Sequence, residues 1–426
     1  MSFETSQTAK EQQEVSWSDC YDVPGPDLFE KVMRFAGTAD KARLLFPHFL
    51  RRPVCSANVN RVKMTDRYTG QVRDMIMLGS NSYLGLTNHP KVIEAAVEAT
   101  KKYGYGAGSV SLYSGTTDLH IELEKRMAAF YQCEDAIIFP TGYAANVSTI
   151  AALLHEQDVA VNDLYNHASI FDGCKLSGAK IETYAHARMG HLERVLQENC
   201  GDDHGTLVIT DGVFSMEGDV ARLDEIVRLA RTFNARVMLD DAHSLGVIGP
   251  TGKGTAEKFG LQGKIDVTVG TLSKCLGGIG GVVAGSAELV DYLRFYARAY
   301  FFSGAVPAPV IAGSLAILDI MEEQPEIREN LWQSVRYMIE NLSAAGFKLC
   351  KTQSAIIPVV IGDETKLKNM LRDLTQAGIF MNYVASPAVA RNKCRLRMSM
   401  MAGHSRKDLD YVIETMEALG RKYDIL

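Results

Sequence analysis

The middle of the chain alternates helical patterns with short apolar runs. "HPKVIEAAVEATKKYG", which begins at residue 89, has the spacing of an amphipathic helix, and compact runs such as "DAIIF", "DVAVN" and "TLVITDGVF" follow it. Apolar runs of this length between polar or glycine-containing segments are typical of buried β-strands. The alternation therefore predicts an α/β fold with a mainly parallel sheet.

The pattern changes on both sides of this alternation. Residues 1–75 contain a polar lead-in, a predicted helix within "PDLFEKVMRFAGTADKARLLF" and an extended stretch. Towards the C-terminus, a long charged helix, "EQPEIRENLWQSVRYMIENLSAAG", precedes the strand-like "AIIPVVIG" and a final amphipathic helix. We therefore expect an N-terminal arm over 1–75, a large α/β domain over 76–318 and a smaller α+β domain over 319–426.

One apolar stretch approaches the length of a membrane span. "FFSGAVPAPVIAGSLAIL", residues 301–318, has no charged residue, and a spanning helix needs roughly 20 such residues. Pro307 and Pro309 interrupt the stretch, and a proline inside a helix removes a hydrogen bond and clashes with the preceding turn. The sequence therefore predicts a buried loop that leads into a core helix, with no integral membrane span.

Composition and charge exclude several classes of protein. Of the 426 residues, 46% are hydrophobic and 23% are charged, as in ordinary globular proteins. The formal net charge of -6 gives no basic surface for nucleic acid. The eight cysteines are dispersed, without the spacing of a metal site or a disulfide framework. The polar N-terminus lacks the apolar core of a signal peptide, so we expect a cytoplasmic protein.

A single lysine, Lys274, lies among small residues in "GTLSKCLGGIGG". It fits a solvated surface residue, a phosphate-loop lysine or a lysine that forms a Schiff base. The phosphate-loop pattern needs glycines that are absent around Lys274, and the near match at Lys253 has the wrong spacing, with Gly254 in place of a hydroxyl residue. A Schiff-base site needs three further groups: an acid for a pyridine nitrogen, a phosphate-binding loop and a side chain that stacks on the ring.

All three further groups have candidates upstream of the lysine. "VMLDDAH" places Asp240 and His243 where a strand opens into a loop, and α/β folds bind ligands at that edge of the sheet. A carboxylate beside a pyridinium favours its charged form. "FPTGYAAN" places Thr141 and Gly142 at the start of a helix, where N–H groups and the dipole bind phosphate. His167 in "DLYNHASIFDG" supplies an imidazole for stacking, although each stretch alone also fits a structural role.

The set of motifs resembles the α-oxoamine synthase family of pyridoxal 5'-phosphate (PLP) enzymes. Each motif alone is weakly specific, whereas the ordered set, spread over most of the chain, is highly specific. The resemblance implies fold type I of the PLP-dependent transferases, PLP as cofactor, and a homodimer whose active sites are shared between subunits. The motifs are "NSYLGL" at 81, "SGTTDLHIELE" at 114, "FPTGYAAN" at 139, "NHASIFDG" at 166, "TDGVFSMEGD" at 210, "LDDAHSLGVIGPTGKG" at 239, "GTLSKCLGG" at 270 and "RLRMSMMAGH" at 395.

The resemblance implies roles for the residues around the cofactor ring. Lys274 would bind the cofactor covalently and then act as the general base that removes the substrate's α-proton, and the small residues around it would leave room for the cofactor. Asp240 would pair with the pyridine nitrogen. His243 and Ser215 would contact the phenolic oxygen of the ring, and His167 would stack on its face.

The resemblance also implies ligands for the phosphate and the substrate. Asn81 and Arg397 would hold the α-carboxylate of the amino acid, since a guanidinium binds a carboxylate with two hydrogen bonds. Arg395, two residues away on the same face of a strand, is the alternative ligand. The residues expected at the phosphate are Thr141, Gly142, Tyr143 and Thr271, with Ser303 contributed by the partner subunit.

The implied reaction is an acyl transfer: a small α-amino acid condenses with an acyl thioester, loses carbon dioxide and gives an α-aminoketone. The N-terminal arm with "FPHFLRRP" favours an enzyme like serine palmitoyltransferase, with a long acyl group on CoA or on an acyl carrier protein. The alternatives are an alanine-using 8-amino-7-oxononanoate synthase and a glycine C-acetyltransferase. Sphingolipid and biotin biosynthesis both remain open as pathways.

Two functions of other classes compete with this interpretation. A PLP aminotransferase would use the same fold and the same pair of Asp240 and Lys274, but His243 stands where transaminases often have a tyrosine. A non-catalytic ligand sensor with this fold would usually carry a DNA-binding module. The arm is neither markedly basic nor similar to a helix-turn-helix, so we expect an enzyme.

Overall fold

The computed structural model describes residues 27–36, 52–66, 70–386 and 388–426. The predicted N-terminal helix is described in part, because residues 30–36 form an exposed helix (α1). The remainder of that predicted helix and most of the "FPHFLRRP" segment lie outside the described residues.

The described residues form three β-sheets. The strands are β1 (Arg61–Thr65), β2 (Val72–Met77), β3 (Asp135–Phe139), β4 (Val159–Asp163), β5 (Lys180–Tyr184), β6 (Thr206–Asp211), β7 (Arg236–Asp240), β8 (Val267–Thr271), β9 (Gly281–Gly285), β10 (Ile356–Val360), β11 (Ile379–Phe380), β12 (Asn382–Val384) and β13 (Arg395–Ser399). The large sheet has seven strands in the order β3-β9-β8-β7-β6-β4-β5, and the two small sheets are β1-β2-β11 and β10-β13-β12. In the large sheet β9 is antiparallel to both of its neighbours and the other pairs are parallel, which confirms the mainly parallel sheet.

Helices connect these strands and cover the sheets. After α1, the helices are α2 (Pro90–Tyr103), α3 (Asp118–Tyr131), α4 (Gly142–Leu153), α5 (Ala168–Ser177), α6 (Met189–Asn199), α7 (Leu223–Thr232), α8 (Thr255–Lys258), α9 (Ala287–Tyr296), α10 (Arg298–Phe301), α11 (Ala308–Glu323), α12 (Glu326–Ala344), α13 (Glu364–Gln376) and α14 (Arg406–Lys422). Single turns of 3-10 or π type cover Leu86–Asn88, Ser111–Gly115 and Arg391–Lys393.

Both faces of the large sheet are covered by helices. Val208 and Ile209 are neighbours in β6 and are both buried, but their side chains belong to two different hydrophobic clusters. Ile209 packs with Ile170 of α5, and Val208 packs with Leu192 of α6 and Ile226 of α7. Because alternate side chains of a strand point to opposite faces, the strands are apolar throughout, as the sequence pattern indicates.

The apolar stretch at 301–318 forms part of the core. Pro307 is the residue before α11, which is the position where a proline does not disturb the helix. Ile311, Ile317 and Ile320 of α11 are buried, and the helix packs against α2 and α3. The prediction of a core helix is confirmed, and no helix of the described part of the chain has the length and apolarity to cross a membrane.

The small sheets combine segments from distant parts of the chain. β2 pairs in parallel with β11, so the end of the predicted arm shares a sheet with residues of the C-terminal region. β13 lies between β10 and β12 in the other small sheet. At the C-terminus the Ser405 hydroxyl accepts a hydrogen bond from the backbone N–H of Asp408, 3.2 Å away, and caps α14. The domain boundaries at 1–75, 76–318 and 319–426 stay a prediction.

Candidate active site

The carboxyl ends of the central strands bring the predicted chemical groups to one edge of the large sheet. Asp211 ends β6 and is paired in register with Asp240, which ends β7. Thr271 ends β8, and Lys274 follows three residues later in a turn. The sequence prediction that Asp240 lies at this edge is therefore confirmed by the strand register, and the edge is the usual ligand-binding position of α/β folds.

Lys274 lies in a tight turn that is stabilised by its own backbone. Its carbonyl accepts a hydrogen bond from the N–H of Gly277, at 2.9 Å. A Cβ on Gly278 would lie 2.7 Å from a methyl group of Val310, and one on Gly280 would lie 2.7 Å from Leu272. The small residues therefore let the turn pack against the protein, whereas the sequence analysis expected them to make room for the cofactor.

The environment of Lys274 favours its neutral amine. Burial lowers the pKa of Lys274 to about 8, although the carboxylates of Asp240 and Asp211 oppose this shift, and the charge of Arg397 contributes to it. A lysine with this pKa is neutral in a substantial fraction of molecules near pH 8. A neutral amine is the form that acts as nucleophile or general base.

Asp240 is buried and held by two donors. Its Oδ2 accepts a hydrogen bond from Nδ2 of Asn146 at 2.6 Å, and its Oδ1 accepts one from the backbone N–H of Ala242 at 3.0 Å. These bonds fix the plane of the carboxylate at the end of β7. The remaining lone pairs of the two oxygens are available to bind a positively charged nitrogen.

His243 is buried and is held by a residue that the sequence analysis did not single out. Tyr83 Oη lies 2.6 Å from Nδ1 of His243. Burial lowers the pKa of His243 well below its usual range, with further contributions from Lys274 and Arg397, so the imidazole is neutral. Burial also raises the pKa of Tyr83 to about 12, although the nearby Arg397 opposes this shift, so the phenol keeps its proton. A protonated phenol can donate to Nδ1, and the neutral imidazole then carries its proton on Nε2.

Tyr83 adopts an unusual backbone conformation, with φ of 44°. Left-handed backbone is uncommon for a bulky residue and is found preferentially at functional sites. The neighbouring Gly85 also has a positive φ, of 68°. The "NSYLGL" motif therefore forms a turn that directs a buried phenol towards His243.

His167 lies at the start of α5, where it caps the helix. Its Nδ1 is 2.7 Å from Oγ of Ser169 and accepts from the backbone N–H of Ser169 at 3.4 Å. Its own backbone N–H donates to Asp211 at 3.3 Å. The ring meets Tyr143 edge-on, with 6.4 Å between centroids, and desolvation lowers the pKa of His167. The imidazole is therefore neutral and stands beside the start of α4.

The start of α4 has the features of a phosphate site. Thr141 is the N-cap residue and accepts from the N–H of Ala144 at 3.0 Å, while the remaining N–H groups of the first turn have no partner within the helix. A Cβ at Gly142 would lie 2.9 Å from Oγ1 of Thr271, so the glycine lets α4 approach β8. Oγ1 of Thr271 donates to the carbonyl of Gly280 at 3.0 Å.

Two further groups lie near this helix start. Tyr143 donates its hydroxyl to the carboxylate of Asp172 in α5. The sequence did not single out Ser273. Its Oγ lies 2.8 Å from Oγ1 of Thr271. Predicted phosphate ligands from β8 and α4 are thus adjacent.

Arg397 of β13 is a buried guanidinium without a carboxylate partner among the described residues. Its Nε donates to the carbonyl of Ser215 at 2.6 Å, and its Nη1 donates to Asn81 at 3.2 Å and to Ser399 at 2.9 Å. Since all three acceptors are uncharged, the positive charge of Arg397 is uncompensated by any protein carboxylate in direct contact. A buried cation of this kind is suited to an anionic ligand.

Arg395 differs from Arg397 although both side chains project from the same face of β13. Its Nη1 forms an ion pair with Glu217 at 2.7 Å and donates to the carbonyl of Met216 at 3.0 Å. The guanidinium of Arg395 is only 1% exposed. The geometry therefore favours Arg397 as the substrate ligand over the alternative that the sequence left open.

Two predicted residues are less directly connected to the site. Ser215 is half-buried, and its backbone carbonyl contacts Arg397. Ser303 lies in a turn after α10, next to Gly304, which pairs with Val110. No hydrogen bond joins Ser303 to the other predicted site residues within the described ranges. Its contribution to a partner's site stays a prediction.

The structure adds several buried residues that sequence reasoning did not assign. Asp211 has its pKa raised well above the usual range by burial and by the nearby Asp240. Its position at the end of "TLVITD" mirrors that of Asp240 at the end of "RVMLD", and this pattern could have identified it. The other buried additions are Tyr83, Asn146 and Ser169, whereas the added Ser273 is exposed.

The converging groups fit PLP. Lys274 supplies an amine with a lowered pKa, Asp240 a carboxylate for a pyridine nitrogen, and the start of α4 a phosphate site, which are the three functions that the cofactor requires. Uncharged imidazoles flank them. No group of three or more His, Cys, Asp or Glu side chains in the described parts of the chain is arranged to hold a metal ion.

Comparison with known sequences assigns the family. The family model for aminotransferases of class I and II matches residues 73–416. The 8-amino-7-oxononanoate synthase of Thermoanaerobacter pseudethanolicus is 42% identical over 354 residues, which are 83% of this chain and 90% of the relative. The chain belongs to the α-oxoamine synthase family of PLP-dependent enzymes. The predictions of the family, of an enzyme and of PLP as cofactor are confirmed.

A second relative is longer than this chain. The 4-hydroxy-2,2'-bipyrrole-5-methanol synthase PigH of Serratia sp. is 41% identical over 403 residues, or 94% of this chain. The chain spans 62% of the length of PigH. Since the synthases among the relatives carry different names, the shared family does not by itself identify the substrates.

Solved structures confirm the fold type. A serine palmitoyltransferase of S. paucimobilis with bound PLP and myriocin has a TM-score of 0.88 and 31% identity, and the match covers 94% of this chain and 100% of that chain. The serine palmitoyltransferase of Sphingomonas wittichii has a TM-score of 0.88, 30% identity and the same coverage. The predicted fold of the PLP-dependent transferases, with a large sheet and a smaller C-terminal sheet, is therefore confirmed.

Proposed function

We propose that this α-oxoamine synthase condenses serine with a long or carrier-bound acyl thioester. The α-carbon of the amino acid forms a bond with the thioester carbonyl carbon, and the thiol and carbon dioxide leave as one proton is taken up. The product is an α-aminoketone. One observation carries the proposal. The buried guanidinium of Arg397, which has no carboxylate partner among the described residues, lies near the amine of Lys274, whose pKa is lowered.

Arg397 and Asn81 bind and orient the α-carboxylate of the amino acid. Their hydrogen bonds to each other and to Ser399 hold the guanidinium in place before substrate arrives. A fixed carboxylate determines which bond of the α-carbon is aligned for cleavage, and such orientation is a large source of rate enhancement. The same fixed contact favours substrates that carry an α-carboxylate.

Lys274 moves the proton. With its pKa lowered to about 8, its Nζ can accept the α-proton and return it to the product in the same site. PLP, when bound, supplies the electron sink that stabilises negative charge on the α-carbon. Asp240 would hold the charged ring nitrogen, and His243, which contacts Tyr83 through Nδ1, would donate from Nε2 to the ring's oxygen.

The choice of serine rests on the relatives. Serine palmitoyltransferase is named for serine, and the name of PigH describes a product with a hydroxymethyl group on its ring. Serine is the small amino acid whose α-carbon carries a hydroxymethyl group. Alanine, expected for an 8-amino-7-oxononanoate synthase, is the alternative substrate.

A homodimer completes the proposal. Two exposed aromatic side chains lie close to the turn that contains Ser303: Phe302, 68% exposed, precedes Ser303, and Tyr113, 74% exposed, has its ring in contact with that of Phe301. Exposed aromatic groups of this kind are enriched at subunit interfaces. A second copy of the chain on this surface would cover them and bring Ser303 to the partner's phosphate site.

The test is a measurement of free thiol. The PLP-loaded protein is mixed with serine, alanine or glycine and with palmitoyl-, pimeloyl- or acetyl-CoA. We expect thiol and carbon dioxide in equal amounts with serine and the long acyl group, and loss of both products in Lys274→Ala. Lys258→Ala, which changes an exposed lysine, should retain full activity.

The same assay has an outcome that contradicts the proposal. An oxoacid is added to the mixture in a parallel reaction: if the amino acid transfers its amino group to the oxoacid while no thioester is consumed, the protein is an aminotransferase. If thiol is released only with alanine and pimeloyl-CoA, the proposed reaction stands, but its substrates are alanine and a pimeloyl thioester.

A further inference from the structure

A buried amide connects two groups of the active site that lie on different elements. Asn146 of α4 is 2% exposed. Its Nδ2 lies 2.6 Å from Oδ2 of Asp240 and 2.9 Å from Oγ of Ser169, and that hydroxyl is 2.7 Å from Nδ1 of His167. A continuous chain of hydrogen bonds therefore runs from the carboxylate at the end of β7 to the imidazole at the start of α5.

The donors and acceptors of this chain have fixed directions. The carboxylate of Asp240 accepts only, so the nitrogen of Asn146 must face it; the flipped amide would place two oxygens 2.6 Å apart. The second hydrogen of Nδ2 then goes to Ser169, which leaves the hydroxyl hydrogen for His167. The backbone N–H of Ser169 also donates to Nδ1 of His167, so that nitrogen carries no proton.

We propose that Asn146 is a positioning residue that sets both the carboxylate plane of Asp240 and, through Ser169, the tautomer of His167. The neutral imidazole holds its proton on Nε2, facing away from Ser169. For its effect on catalysis the inference rests on the proposed function, but its structural part concerns the protein without substrate.

The amide of Asn146 is retained although it is imperfectly satisfied. Its Oδ1 is buried and has no hydrogen-bond partner within the described parts of the chain. A buried carbonyl without a partner lowers the stability of the fold. Stability therefore does not explain why an asparagine occupies this position. What it provides is one nitrogen with two hydrogens, directed at two acceptors that no hydroxyl residue could satisfy together.

The test compares Asn146→Ala and Ser169→Ala with Thr149→Val. Thr149 is a matched control because it lies one turn further along α4, is fully buried, and its hydroxyl has no partner in the described structure. Each apoprotein is labelled with [15N]histidine, and the His167 signals are identified by their loss in His167→Gln. The dissociation constant of PLP is measured on the same proteins by fluorescence.

We expect the wild-type imidazole to carry its proton on Nε2. Asn146→Ala should shift the nitrogen signals of His167 towards those of an imidazole that exchanges between its two tautomers. The same variant should bind PLP about 10- to 100-fold more weakly, because it loses a hydrogen bond to a charged group. Ser169→Ala should shift the imidazole signals and leave PLP affinity within about threefold, since the bond from Asn146 to Asp240 remains. Thr149→Val should change neither quantity.

Two results would overturn the inference. One is a wild-type spectrum with the proton of His167 on Nδ1, which needs no variant and so does not depend on how Asn146→Ala folds. The other is a folded Asn146→Ala protein with unchanged imidazole signals and unchanged PLP affinity. Neither measurement requires the condensation reaction. A failure of the proposed function would appear as absent thiol release with normal PLP binding, and it can therefore be distinguished from a failure of the inference about Asn146.

Discussion

At the scale of residues, the site is defined by which charges have partners. Arg395 and Arg397 are identical in type and lie two positions apart on one strand, but within the described ranges only Arg395 has a carboxylate partner, Glu217. The sequence placed both on one face and could not separate them, because Glu217 is distant along the chain. The uncompensated guanidinium is the one that can bind a substrate anion.

The two arginines should respond differently to replacement by lysine. Arg397→Lys removes two-point binding of the α-carboxylate, and we expect the KM for the amino acid to rise about 10- to 100-fold. Arg395→Lys disturbs a buried ion pair, and we expect a loss of stability with a KM within about threefold. Steady-state kinetics and urea unfolding of both variants check this, and equal changes in KM would contradict the assignment.

At the scale of elements, the sequence predicted most of what lies at strand ends and helix starts. The apolar runs and the glycine and threonine steps correctly indicated where β7 ends at Asp240 and where α4 begins at Gly142. The polar connections between elements were not predictable, because Tyr83, Asn146 and Ser169 meet their partners only through packing. A residue such as Asn146, one turn inside an apolar helix, gives no local signal.

The close contact between α4 and β8 at Gly142 gives a prediction about how these two elements position the phosphate. In Gly142→Ala the new methyl group would lie 2.9 Å from Oγ1 of Thr271, so the start of α4 must shift away from the phosphate position. We expect PLP binding to weaken about tenfold or more, the loss of one charge-assisted hydrogen bond. The measurement is a PLP titration, with inorganic phosphate as competitor.

Gly190→Ala is the matched control for this variant. Gly190 is also near the start of a helix, α6, and a Cβ there would have nothing within 4 Å. We expect unchanged PLP affinity in this control. Unchanged affinity in Gly142→Ala as well would contradict the assignment of the phosphate to α4.

At the scale of the whole molecule, the active site lowers the stability of the apoprotein. Burial lowers the pKa of Lys274 from its ordinary 10.5 to about 8, so below pH 8 the folded state holds a desolvated charge. The unfolded chain binds more protons than the folded chain between pH 8 and 10.5, and the penalty therefore disappears as the pH rises through this window. At about 1.4 kcal/mol per pKa unit, its size is on the order of 3 kcal/mol.

Lys274→Met should therefore stabilise the apoprotein. We expect its free energy of unfolding at pH 7 to exceed that of the wild type, and the difference to shrink between pH 8 and pH 10.5. Urea unfolding at several pH values measures this difference. The exposed Lys258→Met serves as control, and a difference for Lys274→Met that is constant with pH would contradict the burial of the charge.

The hydrogen bond between Asn81 and Arg397 also has a consequence for the time order of synthesis. These residues are 316 positions apart, and Asn81 leaves the ribosome long before β13 exists. Until then the proposed anion site lacks Arg397, so binding of an amino acid there cannot stabilise the nascent chain. Because such distant pairings form late, the proposed carboxylate site forms only after translation has passed β13 and the chain has folded.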